Sequence, residues 1–397
     1  MRILRPLLTA GGVLTACLGQ RDESRAVRRD SAGIAITENG RHQPTRLSLS
    51  KNPIIIGGRG DERSPFLLFR IAGVEELSTG MVMVANQGSG QLLLFDETGA
   101  FLKSLGRSGM GPGEFGDLTS ARVITGDTIA VIDALNRRIT YFSPQGELVQ
   151  TLSVGAIAGI AFPVIQDVFS DGTLLVLSID GAHTGGGSTA GALRDSVTAY
   201  RVTRRGVILD SLPVVAGDEN VTVPVSERGV IVTPRIFGKR LLIRAHGTRV
   251  YLTNGDSPEI RVFDTTGSLL LISRISRDPA PVTRELTDAF LGEVPSRKAY
   301  YERFGEAMTY PQTLPPFGSL IVDDSGRIWV QDYQLPGQSE NSWLIIGSDG
   351  VVQNTLRVPS SITIRGVRGQ RALTVYRDSL GEESVRVYRI STAQSAP

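Results

Sequence analysis

Short apolar runs recur along the chain, each opening directly after a tight glycine turn. The turns are Ser78-Thr79-Gly80, Thr125-Gly126-Asp127, Ser170-Asp171-Gly172, His246-Gly247-Thr248, Asp324-Ser325-Gly326 and Arg368-Gly369-Gln370. The runs after them are Met81–Ala85, Thr128–Ile132, Thr173–Leu177, Arg249–Thr253, Arg327–Gln331 and Arg371–Tyr376. Their Val, Ile and Leu content suits a pleated, half-buried backbone. A turn–strand unit that returns every 45 to 80 residues or so signals a repeat architecture, not one continuous sheet.

A second unit, a strand ending in a tight turn, recurs at Leu94–Gly99, Tyr141–Gly146 and Val262–Gly267, with weaker copies at Arg201–Gly206 and Ile345–Gly350. In three units Asn86, Asp133 or Asn254 stands ten residues before the Asp or Ser of that turn. Each repeat therefore reads as four antiparallel strands, the unit of a propeller blade. The fold class expected is all-β, a six-bladed β-propeller with units at 70–107, 118–153, 162–213, 236–275, 317–358 and 361–391. The last unit has only three convincing strands: Ile362–Val367, Arg371–Tyr376 and Ser384–Ile390. A missing outer strand would leave an exposed edge, so an N-terminal strand should complete it. The candidates are Ile34–Thr37, or Arg46–Ser50 with Pro53–Ile56.

Two segments interrupt the pattern. Gly181–Ala192 is a Gly/Ser/Thr loop. Within 281–308, Leu286 and Phe290, then Tyr300, Phe304 and Met308, fall at helical spacing on either side of Pro295. This helical insert between blades four and five either caps one mouth of the central channel or packs its apolar stripe on the rim.

Composition adds little about partners but much about compartment. Forty-two basic and 40 acidic side chains nearly cancel, so bulk charge gives no reason to expect nucleic acid. The apolar stretch Pro6–Ala16 follows Arg2 and Arg5 and is too short for a permanent span. Leu14-Thr15-Ala16-Cys17 resembles the bacterial lipoprotein lipobox, which implies lipidation of Cys17. Cys17 is the one cysteine in the sequence, so no internal disulfide can form and a lone exported thiol would be a liability. The expected layout is a signal peptide over 1–16, a tether over 17–32, the propeller over 33–391 and a tail over 392–397. Leu18 is not the aspartate associated with inner-membrane retention, so an exported, outer-membrane lipoprotein is expected, held to the membrane by its lipid anchor only.

The segment Phe101–Phe115, with the Phe-Asp-x-x-Gly turn before it, resembles the junction of NHL-type repeats. With Arg29-Asp30-Ser31-Ala32-Gly33 and Thr313-Leu314-Pro315-Pro316-Phe317, the pattern is similar to bacterial exported 6-bladed β-propeller proteins over most of 29–391. Units three and six depart from the NHL pattern. The resemblance implies a fold and leaves activity open.

Candidate chemistry sits at aligned positions. Gly106–Gly113 lacks the Lys-Ser/Thr of a phosphate loop and leads into a strand, so its glycines fit a tight crossing with Phe115 wedged beneath. Asn86, Asp133, Asn254 and Asp332 end the second strand of their blades on one face. They could offer oxygen ligands to Ca2+, or satisfy amides of their own loops. Four residues before each turn glycine stand Glu76, Arg122, Val168, Ile243, Val322 and Arg365. Blades six, one and two are ring neighbours, so Arg365, Glu76 and Arg122 could cluster in the channel, either as an anion site or as a structural ion network. A one-residue change of parity would turn these side chains away from the axis. The three histidines, His42, His183 and His246, fall in a linker, a loop and a turn, and suggest neither a metal triad nor a catalytic one. Glu75 and Glu76 should point to opposite sides of their strand, so they form no shared-proton dyad. No catalytic residue is assigned. The function expected is binding of a protein, peptide or glycan partner, with an anionic ligand at the channel. The competing class is a calcium-dependent hydrolase or lactonase.

Overall fold

A computed structural model describes residues 26–41, 44–58, 66–180, 191–224, 230–293 and 309–393. The runs after the glycine turns are apolar at nearly every position because each is buried on both faces. In Val82–Asn86, Val82 and Val84 pack towards blade six, whereas Met83 and Ala85 pack towards blade two. The same division repeats around the ring. Six apolar clusters fill the six boundaries, and the one joining Leu373, Val375, Val385 and Val387 to Val74, Val84 and Leu93 closes the last blade on the first.

Blade one consists of Ile71–Glu76, Val82–Asn86, Gln91–Phe95 and Phe101–Leu105, all antiparallel in chain order. Blade two repeats this from Leu118 to Ser153. Blades four and five have the same four-strand core, starting at Leu242 and Phe317. Blade three departs from the plan. Its third strand, Gly191–Val202, is twelve residues long, and one part of it pairs with the outer strand Ile208–Ser211. Its earlier part pairs with Val215–Pro224, which continues to Val230–Pro234 as an extra hairpin.

The N-terminal segment closes the ring as expected, but in three steps. Ile54–Ile56 supplies the missing outer strand of blade six, pairing antiparallel with Val385–Val387. Thr45–Leu49 lies parallel to the outer strand of blade five and also pairs with Ile390–Thr392, bridging blades five and six. Ile34–Asn39 does not serve blade six; it runs parallel outside blade four. Val27–Ser31, expected within the tether, forms a hairpin with it. The side chain of Asn39 then joins blade four to blade five, donating to Gly350 O at 2.9 Å and accepting from Val352 N at 2.8 Å.

The helix Arg284–Gly292 is capped by Thr283, whose hydroxyl accepts from Leu286 N. It packs on the rim between blades four and five: Leu286 and Phe290 meet Phe237, Leu314 and Tyr333. The second helix expected beyond Pro295 lies outside the described residues. Among those residues no helix is long and apolar enough to cross a membrane.

Candidate functional site

Five of the six innermost strands carry one extra residue. Pairing skips Ala72, Thr119, Gln166, Gly318 and Arg365, each at a β-bulge, whereas the innermost strand of blade four runs in unbroken register. Bulges re-aim side chains. Ala72, Thr119, Gln166 and Arg365 line a cavity of about 690 Å³ at one end of the channel, within the size range of small-molecule sites.

At the waist of the channel Arg122 joins three blades. Its Nη1 donates to Glu75 Oε1 at 2.9 Å, and its Nε lies 3.3 Å from Asp167 Oδ1. Asp167 also accepts from Val168 N at 2.9 Å and Ala245 N at 3.1 Å, which fixes it against blade four. Burial pushes the Glu75 carboxyl above its usual range, with Arg122 opposing. Asp167 and then Glu75 push the Arg122 guanidinium upward, so it stays charged.

Two further arginines face this cavity with no carboxylate within 4 Å among the described residues. Arg365 donates from Nη2 to Ile71 O at 3.2 Å, and Arg244 from Nη1 to Ile243 O at 2.9 Å. Desolvation lowers the pKa of both; Asp167 opposes this at Arg244 and Glu383 at Arg365, where Arg377 and then Arg244 add to it. Each guanidinium has five N–H donors, so both keep spare donors for an anion.

The expected trio is corrected at one position. Arg122 and Arg365 reach the cavity, but the glutamate paired with Arg122 is Glu75. Glu76 turns towards blade six, where Arg371 Nη1 lies 3.2 Å from its Oε1 and Arg368 Nη1 donates to its backbone oxygen. Adjacent strand residues face opposite boundaries, so one step of register exchanges the two partners. Parity likewise moves the channel residue from Val168 to Asp167 and from Ile243 to Arg244.

The four candidate metal ligands are each engaged by their own surroundings. Asn86 is fully buried, accepting from Phe69 N at 3.0 Å and donating to Leu67 O and Ser89 Oγ. Asp133 accepts from Gly116 N, Asp117 N, Asn136 N and Asn136 Nδ2. Asn254 pairs with Asp256, and Asp332 with Arg277 at 2.7 Å. Among the described residues no three His, Cys, Asp or Glu side chains are grouped to hold a metal ion. The third histidine, His246, lies at the opposite mouth with Asp127, Asp324 and Arg368. His42, His183 and Cys17 lie outside the described residues.

The Gly106–Gly113 crossing covers Phe115, which is buried at the boundary of blades one and two. Gly106 has φ +73°, and a side chain there would collide with the Phe115 ring. Glu114 ties the loop by accepting from Gly111 N and Arg107 Nε at 2.7 Å.

A family profile described as a 6-bladed β-propeller, DUF5128, matches residues 63–166, which span blades one and two and the start of blade three. The chain is a six-bladed β-propeller. A Bacteroides fragilis protein described as exported is 14% identical, with 88% of this chain and 96% of that chain covered and a TM-score of 0.47. A DUF4221 member from Bacteroides vulgatus is 10% identical, with 88% and 100% covered and a TM-score of 0.47. A Xanthomonas campestris gluconolactonase is 16% identical, with 91% and 100% covered and a TM-score of 0.38. No curated protein matches the sequence. Likenesses of this degree carry no argument about what the propeller binds or converts.

Proposed function

We propose that this propeller is a binding protein whose channel receives an anionic group of a protein, peptide or glycan partner presented at its loop-rich face. The observation that carries the reading is the pair Arg244 and Arg365, which face a cavity of about 690 Å³ with no carboxylate partner among the described residues. Arg244 is half-buried and Arg365 is exposed in the channel, so both guanidinium groups stand open to an incoming anion, for which their planar donor forks are suited. The test is a titration of the full chain with acetate and inorganic phosphate. Binding should disappear in Arg365→Glu and Arg244→Glu while thermal unfolding stays cooperative. Unchanged binding in both variants would overturn the proposal.

The propeller is proposed to work outside the cytoplasm on a lipid anchor. Cys17 stands in a lipobox-like setting, and the first described strand begins at Val27 on the outer edge of blade four. Residues 18–26 could span about 30 Å if extended, enough to hold the ring clear of a surface. A Cys17→Ser protein should leave the membrane fraction, and one that stayed there would defeat the anchor.

A further inference from the structure

Five arginines and three carboxylates line the wide end of the channel. Arg122 accounts for Glu75 and Asp167, and Arg138 lies 3.6 Å from Asp133. The remaining arginines, Arg137, Arg244 and Arg365, have no ion-pair partner among the described residues, so the cavity holds surplus positive charge.

Two exposed apolar side chains border the same cavity. Phe162 is 67% exposed and Val164 44% exposed, and both line it. Phe162 also has φ +47°, a left-handed backbone that is an outlier for a bulky residue. Arg137, which also lines the cavity, has φ +48°. Backbone strain that turns an aromatic ring to water is of the kind that gathers at ligand sites. The cavity thus combines a cationic floor with an apolar lip.

We propose that the wide end of the channel binds an amphipathic organic anion, its carboxylate or phosphate on Arg244 and Arg365 and its apolar body against Phe162 and Val164. This inference rests on the anion reading above and specifies the ligand class. Inorganic anions would use the floor alone, and neutral apolar molecules the lip alone. Only a ligand with both parts uses the whole site.

Calorimetric titration of the full chain with 2-naphthoate, 2-naphthamide and acetate tests the idea. Naphthoate should bind at least tenfold more tightly than either of the others. Phe162→Asn should weaken naphthoate about five- to tenfold and leave acetate unchanged, because Asn tolerates the left-handed backbone and the fold should persist. Arg244→Gln and Arg365→Gln should weaken naphthoate and acetate alike. Equal affinity for naphthoate and acetate would overturn the amphipathic site and leave the anion reading standing. Naphthamide binding as tightly as naphthoate, or no binding of any probe to folded protein, would overturn both.

Discussion

Nη1 of Arg122 donates to Oε1 of Glu75 across 2.9 Å, so the innermost strands of blades one and two are joined by charge at the waist of the channel. Asp167 at 3.3 Å extends the link to blade three. Removing the cation would leave two carboxylates facing each other in a restricted space. Arg122→Met should therefore destabilise the protein by about 2–4 kcal/mol, towards the lower end because the pair is about a quarter exposed. The double variant Glu75→Gln/Arg122→Met should lose less than the sum of the single losses. Urea denaturation of the four proteins measures both effects.

Two channel groups should give pH dependences of opposite sign. Burial raises the Glu75 pKa above 4.5, so the folded state holds its proton more tightly than the unfolded state. Relative to Glu75→Gln, the wild type should lose stability as pH rises from 4.5 through the raised value. Burial lowers the His246 pKa below 6.5, so here the unfolded state binds the proton more readily. Relative to His246→Gln, the wild type should lose stability as pH falls from 6.5 towards the lowered value. Denaturation midpoints at pH 4.5, 5.5, 6.5 and 7.5 read out both signs.

Ring closure through Ile54–Ile56 concentrates on one side chain. Ile56 is fully buried at the boundary of blades six and one, whereas Ile55 is 41% exposed on the other face. Ile56→Ala should cost about 2–5 kcal/mol, as in other large-to-small core changes, and Ile55→Ala a small fraction of that. Similar losses at both positions would contradict the strand pairing.

Asp133 should act as a loop staple and not as a calcium ligand. Asp133→Ala removes the acceptor of three backbone N–H groups and should cost about 2–3 kcal/mol. Chelator and added Ca2+ should both leave the melting temperature of the wild type unchanged. A calcium-dependent rise that vanished in Asp133→Ala would reverse this reading.

The six blades were legible in the sequence because burial on two faces demands short, almost wholly apolar strands, and closing each unit demands a turn glycine. The channel residues were only partly legible. Turns between the first two strands span residues 77–81, 169–173 and 323–327 in blades one, three and five. They span 125–127 in blade two, and 247–248 and 369–370 in blades four and six. A fixed count back from the glycine therefore lands on the channel residue at Arg122 and Arg365 but one position away at Glu75, Asp167 and Arg244. Arg365 fits the count only because it is itself the bulged residue. The long third strand of blade three, with its extra hairpin, followed no repeat that could announce it.

The sequence by itself determined the number of blades, their order and the need for an N-terminal strand in the last one. Those follow from local turn chemistry and hydrophobic pattern, which each repeat carries within itself. Only the tertiary structure decided that Glu75 meets Arg122, that Asp167 answers the same arginine, and that Arg244 and Arg365 face the cavity with no ion-pair partner among the described residues. These pairings depend on which boundary each inner-strand side chain faces. That is set by turn length and bulge position across separate blades, and no single repeat records it.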